Sequence, residues 1–304
     1  MRQFNYLSES YVWEIFLLLG FALVFKFFPR IRDLKSDDQY FSLHHTTVVQ
    51  ASLCIVATTV LYAMLSWGRL SLSNSLIVGA WKYLSLLAVL SFVLIWYRRI
   101  GQSLRLILVP TESVSSLIIV GSKAAFLVLM VHDIYWLVVP EAWLRGQALF
   151  HTSAEFERYA NENGMLWTGV VALVTTFMRQ GLTALIEELC YRGLLYSALR
   201  KHLSVAPALL WSSFSFMLGH EWFGLVIFIL GCIQAYLYET YHSILPAIIV
   251  HFSWNAHLHL FGWAMSASLI SAKTWYVLSL VFAILSLLIL TFLHKGKTMT
   301  HAPL

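Results

Sequence analysis

Two adjacent glutamates interrupt an apolar run, in TALIEELCYRGLLY, and an arginine follows four residues after the second. On a helix, Glu188 and Arg192 share a face and can pair. Glu187 is turned about 100° away and has no evident local partner. A carboxylate held out of water in this way suits general acid or base work. Two more pairs recur at the same four-residue spacing: Phe216 and His220 in SSFSFMLGHEWFG, and His251 and Asn255 in IIVHFSWNAHLHLFG. A histidine can carry a proton, and histidine and asparagine can both donate hydrogen bonds to a developing negative charge. His259 continues the His251–Asn255 stripe, while His257 points elsewhere. Each pair also has a plain structural reading: a charge pair that fixes topology, an interfacial histidine, and helix-to-helix hydrogen bonding.

The elements that must position these groups are membrane helices. Of 304 residues, 59% are hydrophobic and 12% charged, and the mean hydropathy is +0.73. A soluble domain carries about 25% charged residues, so most of this chain has no water-facing surface. Apolar segments fall at 11–28, 46–67, 76–97, 114–137, 166–199, 205–222, 224–241, 243–263 and 275–293, each near the ~20 residues a span needs. The expected fold is an all-α polytopic transmembrane bundle of about 8–9 spanning helices. The segment 11–28 follows a single Arg2 with no small-residue cleavage site and reads as an anchor helix. The stretch 166–199 exceeds one span, so its last turns are expected to project into the cytosol. A wetter segment, 141–165, reads as an external loop with an interfacial helix. Four parts follow: N-terminal helices of unknown role (1–140), this loop, a core at 166–263, and a C-terminal helix with tail at 264–304.

Loops after odd-numbered helices carry ten Lys and Arg, against five on the other side. The bias puts the N-terminus outside and the C-terminus in the cytoplasm. The formal charge of +5 is explained by those loops, and no basic run interleaved with aromatics points to nucleic acid. Cys54, Cys190 and Cys232 lack CxxC spacing, which supports neither a disulfide framework nor a thiolate site. Glu14, Lys26, Lys82, Lys123, His132 and Asp133 are scattered over the first four helices and read as structural. Counted from the cytosolic helix ends, Glu187 lies about 18 Å deep, His220 about 24 Å, His251 about 12 Å and Asn255 about 18 Å. Four groups at intermediate depth can line one cavity.

The ordered set EExxxR, FxxxH and HxxxN resembles the motifs of the CPBP intramembrane protease family, which contains the type II CaaX prenyl endopeptidases and the Abi-like proteins. Every motif position is matched, by Glu187, Glu188, Arg192, Phe216, His220, His251 and Asn255, and Gly231, Tyr238 and Ser243 also sit where such chains have them. The resemblance covers 166–263. It implies a glutamate-dependent endopeptidase in which Glu187 and His220 activate a water and His251 and Asn255 hold the oxyanion. Glu188, Arg192 and Phe216 support them, and no metal or other cofactor is expected. The implied partners are the bilayer and a peptide or membrane-anchored protein: a CaaX tail, a leader peptide or a C-terminal sorting anchor. The implied location is a prokaryotic inner membrane. Two alternatives stand beside it. One is a zinc protease built on Glu187, His220, His251 and His259, although HExxH is absent. The other is a non-catalytic protein, such as a bacteriocin-immunity factor or a proton-coupled transporter.

Overall fold

The computed structural model describes residues 38–68, 75–108, 113–138, 165–220, 224–266 and 271–299. The expected span at 11–28 and the external loop up to residue 164 lie outside the described residues. Every regular element among those described is helical: α1 (Asp38–Ser42), α2 (Val48–Gly68), α3 (Ser75–Arg99), α4 (Leu104–Leu108), α5 (Val114–Val138), α6 (Met165–Glu188), a π-helical stretch (Leu189–Tyr196), α7 (Ser197–Arg200), α8 (Val205–Leu218), α9 (Gly224–Tyr241), α10 (Leu245–Ser266) and α11 (Ala272–Met299). A helix satisfies all its own backbone groups, which hydrocarbon cannot do for it.

Among the described residues, four stretches are long and apolar enough to cross a membrane: Val48–Trp67, Trp81–Arg99, Val114–Val138 and Lys273–Thr291. On α2, Val49, Val56, Met64 and Trp67 are more than half exposed, as are Phe282, Leu285 and Leu288 on α11. Rows of exposed large apolar side chains would aggregate in water and are the expected lipid face in a bilayer. The protein is an integral membrane protein, a helical bundle as its composition requires.

Among the described residues the chain forms two compact units, 38–117 with 178–252, and 118–177 with 253–299. In the second unit, α5, α10 and α11 bury Val128, Phe261 and Ala283. Trp136 stacks on Tyr276 with centroids 6.3 Å apart, and Phe261 stacks on the same tyrosine at 5.0 Å.

The first unit is built around the π-helical stretch, all of whose residues are buried. These turns are packed among other helices. The reason is local. At Gly193 a Cβ would collide with the Tyr97 hydroxyl, and that hydroxyl, brought close, donates to Leu189 O at 2.7 Å. Arg200, counted among loop cations by sequence, is also buried, in a two-pronged pair with Glu239 at 2.9 and 3.1 Å. Tyr196 donates to the same carboxylate at 2.7 Å.

Residues 43–47, which lead into α2, are latched to the turn after α3. Gln102 Nε2 donates to His44 Nδ1 at 2.7 Å, and Gln102 Oε1 accepts from the His45 amide at 2.9 Å. Burial, and then the Lys201 charge, lower the His44 pKa to about 4. The unfolded imidazole takes its proton near pH 6.5. Stability is therefore unaffected above that pH and falls as pH drops towards about 4, where the loss approaches ~3 kcal/mol. Thermal unfolding in detergent between about pH 7.5 and about pH 5 should show this loss, and His44→Gln should remove that part of it.

Candidate active site

α6 delivers Glu187 and Glu188 at its C-terminal end, where the backbone widens into the π-helical stretch. Ser197 closes the wide turn, its N–H and its hydroxyl both donating to Arg192 O, the latter at 3.1 Å. Arg192 therefore starts this turn one helical step from Glu188, with its side chain directed inward.

The Arg192 guanidinium is fully buried. It donates to Glu188 Oε1 at 3.2 Å, to Gln234 Oε1 at 2.6 Å and to Gly231 O at 3.1 Å. The face of Phe216 lies 4.5 Å from its Cζ, a cation–π contact. Gly231 permits this because α8 and α9 touch there: an added Cβ would come within 3.1–3.3 Å of Ser213. Glu188, itself fully buried, accepts a second hydrogen bond from His251 Nδ1 at 2.8 Å. The charge pair expected from sequence is thus present, and it also fixes one nitrogen of His251.

Glu187 faces the other way and is half-buried. Its Oε2 lies 3.5 Å from His251 Nε2 and 3.8 Å from His220 Nε2. His220 Nδ1 is 2.8 Å from Phe216 O. A carbonyl only accepts, so Nδ1 carries the proton and Nε2 presents its lone pair. The rings of Phe216 and His220 lie 4.6 Å apart, and Phe216 meets His251 edge-on at 5.6 Å. Glu187 Oε2 has no direct hydrogen-bond partner among the described residues. Separations of 3.5–3.8 Å are too long for direct bonds and suit three groups sharing one small hydrogen-bonding molecule.

A cavity of about 310 Å³ opens on this point, lined by Thr58 and Tyr62 of α2, Val89 of α3, Arg179 and Glu187 of α6, and His220. Its volume is that of a ligand site rather than a packing defect. Sequence had grouped seven residues. The first unit brings together Glu187, Glu188, Arg192, Phe216, His220 and His251, whereas Asn255 stands half-buried one turn beyond His251 on α10, within the other unit. Gln234, Arg200, Glu239 and Tyr196 were missed. The signal was available, since Gln234 and Glu239 interrupt the apolar run of α9 and a polar group there needs a partner. His132 and Asp133, read as scattered structural charges, meet His257 in the second unit.

Residues 166–257 match the family model described as type II CAAX prenyl endopeptidase Rce1-like. Over this helical segment the chain is similar to the CPBP/CAAX protease family. The match spans just under a third of the chain and includes every motif residue from Glu187 to Asn255. No characterised relative and no solved structure matches the chain. A CAAX-type membrane protease, acting on a peptide or protein, is what this segment is similar to.

Breaking the buried pair leaves a charge without compensation. Arg192→Leu should cost about 3–5 kcal/mol, and Glu188→Gln combined with Arg192→Met should recover part of the loss. Denaturant or thermal unfolding of the purified variants measures both.

Proposed function

We propose that the protein is a glutamate-dependent intramembrane endopeptidase in which Glu187 is the general base. The observation that carries this reading is the convergence of His220 Nε2 and His251 Nε2 on one oxygen of Glu187 beside a ligand-sized cavity. A water held by Glu187 and His220 loses its proton to the carboxylate as it attacks the scissile carbonyl, and no covalent intermediate is required. The proton then passes to the leaving amine, with Glu187 returning to its ionised form.

His251 and Asn255 take the developing oxyanion. His251 Nδ1 is committed to Glu188, so Nε2 donates only when the ring carries both protons. The Glu188 carboxylate is the counter-charge for that form, and Arg192 keeps Glu188 from adding unbalanced negative charge beside Glu187. On this view Glu188, Arg192 and Phe216 are positioning residues. The substrate is a peptide segment entering from the membrane, of which a CaaX-like tail, a leader peptide and a C-terminal anchor are the candidate forms.

Glu187→Ala should lower kcat on a membrane-presented peptide by about 10²–10⁴-fold, with unchanged unfolding temperature. Wild-type cleavage by Glu187→Ala would overturn the reading. Comparing the protein termini of membranes carrying the wild-type or Glu187→Ala chain identifies the substrate.

A further inference from the structure

The second unit holds a polar cluster that the proposed active site does not use. His132 and Asp133 are consecutive on α5, and His257 stands on α10. All three are buried, Asp133 completely. A carboxylate sealed among apolar helices is costly unless its oxygens are satisfied. Here they are satisfied poorly. Asp133 Oδ1 lies 3.2 Å from His132 Nδ1, but Oδ2 has no hydrogen-bond partner among the described residues. His257 Nε2 approaches Oδ1 to 3.1 Å without the alignment of a hydrogen bond and is likewise unpartnered. Its other nitrogen sits 3.5 Å from Ser279 Oγ on α11.

We propose that His132, Asp133 and His257 form a binding site for one divalent transition-metal ion of the zinc class. One donor atom from each residue lies within 4.8 Å of the other two. Two imidazoles and a carboxylate are a donor set that such ions prefer over magnesium or calcium. Zinc bonds of about 2.0–2.2 Å set neighbouring tetrahedral ligands roughly 3.3–3.6 Å apart, close to the separations of 3.1 and 3.2 Å found here. The simpler account is an ion pair between Asp133 and a protonated His257. That account needs an N–H of His257 aimed at Oδ1, whereas an ion takes the unpartnered His257 Nε2 through its lone pair and needs no such alignment. The rings of Trp254 and Trp275, at 4.8 Å from His132 and 5.7 Å from His257, shield the site as the apolar surroundings of a metal ion do.

Trp136 fixes the form of His132 before binding. Its indole N–H donates to His132 Nε2 at 2.7 Å, so the imidazole proton sits on Nδ1. Coordination through Nδ1 moves that proton to Nε2 and breaks the indole bond. Two hydrogen bonds, the indole bond and the one from Nδ1–H to Asp133 Oδ1, are exchanged for one metal–nitrogen bond, and no proton leaves the ring. Three protein ligands leave the fourth tetrahedral position to a water.

Titration of the purified full-length chain in detergent with Co(II), followed by Zn(II), tests the proposal. The expected result is one Co(II) per chain with the visible absorption of a tetrahedral site, displaced by Zn(II). Asp133→Asn and His257→Gln should each weaken binding about 100-fold or more. Trp136→Phe, which removes the competing donor, should bind at least as tightly as wild type. Glu187→Ala should titrate like wild type, separating this site from the proposed active site. If the wild-type chain takes up neither ion, or takes up as much as a His132→Gln/His257→Gln variant, the proposal fails. The wild-type measurement does not depend on any variant folding.

Discussion

A guanidinium sealed inside a membrane protein has five N–H donors and no water to receive them. Arg192 meets most of that demand with a carboxylate from its own helix, a glutamine and a backbone carbonyl from α9, and the face of Phe216 from α8, while its Nε has no partner among the described residues. Removing any one of these leaves a charge-bearing group short of partners in a medium where the shortfall is expensive. The rest of the first unit is arranged around this requirement. α8 and α9 must touch at Gly231 for its carbonyl to be in reach, and the wide turn after α6 must direct the arginine inward.

The same requirement divides the labour of two adjacent glutamates. Consecutive helical positions point about 100° apart, so Glu188 can be consumed by Arg192 and His251 while Glu187 looks into the cavity. One carboxylate is spent on structure and the other is left open to the cavity, although no difference in residue type separates them. His251 joins the two roles through its opposite nitrogens, one committed to Glu188 and one facing Glu187. His220 is held independently, through the carbonyl at the end of its own helix. The two imidazoles therefore reach Glu187 from separately braced elements, which is what a site needs to keep distances within a few tenths of an ångström.

Much of this was legible in the sequence because a membrane makes polar residues conspicuous. The Glu188–Arg192 pair, the helix faces of Phe216–His220 and His251–Asn255, and most helix boundaries followed from spacing and hydropathy alone. What could not be read was the backbone geometry of Leu189–Tyr196, since nothing in LCYRGLLY distinguishes a π-helical from an α-helical winding. Long-range partners were also hidden. Arg200 looked like one more loop cation, and only the approach of α9 reveals that Glu239 waits for it. His257 was set aside because it points away from the His251 stripe; it points instead at Asp133, in a different unit. A pattern on one helix tells which way a side chain faces, not what another helix brings to meet it.

The wide winding of Leu189–Tyr196 also constrains how this chain can change in length. Loss of one residue from the stretch could be absorbed by tightening it to an ordinary α-helix, with no break in the backbone hydrogen bonds. Everything beyond would then nearly keep its phase relative to Glu188, because a wide turn holds one residue more than an α-helical one. Arg200 would stay within reach of Glu239, and the Arg192 carbonyl would pass to an ordinary α-helical donor. The same loss from an α-helical turn would swing every later side chain by about 100° and uncouple the charge network. The connection at 201–204 is the other place where a change of length leaves the helices on either side in phase.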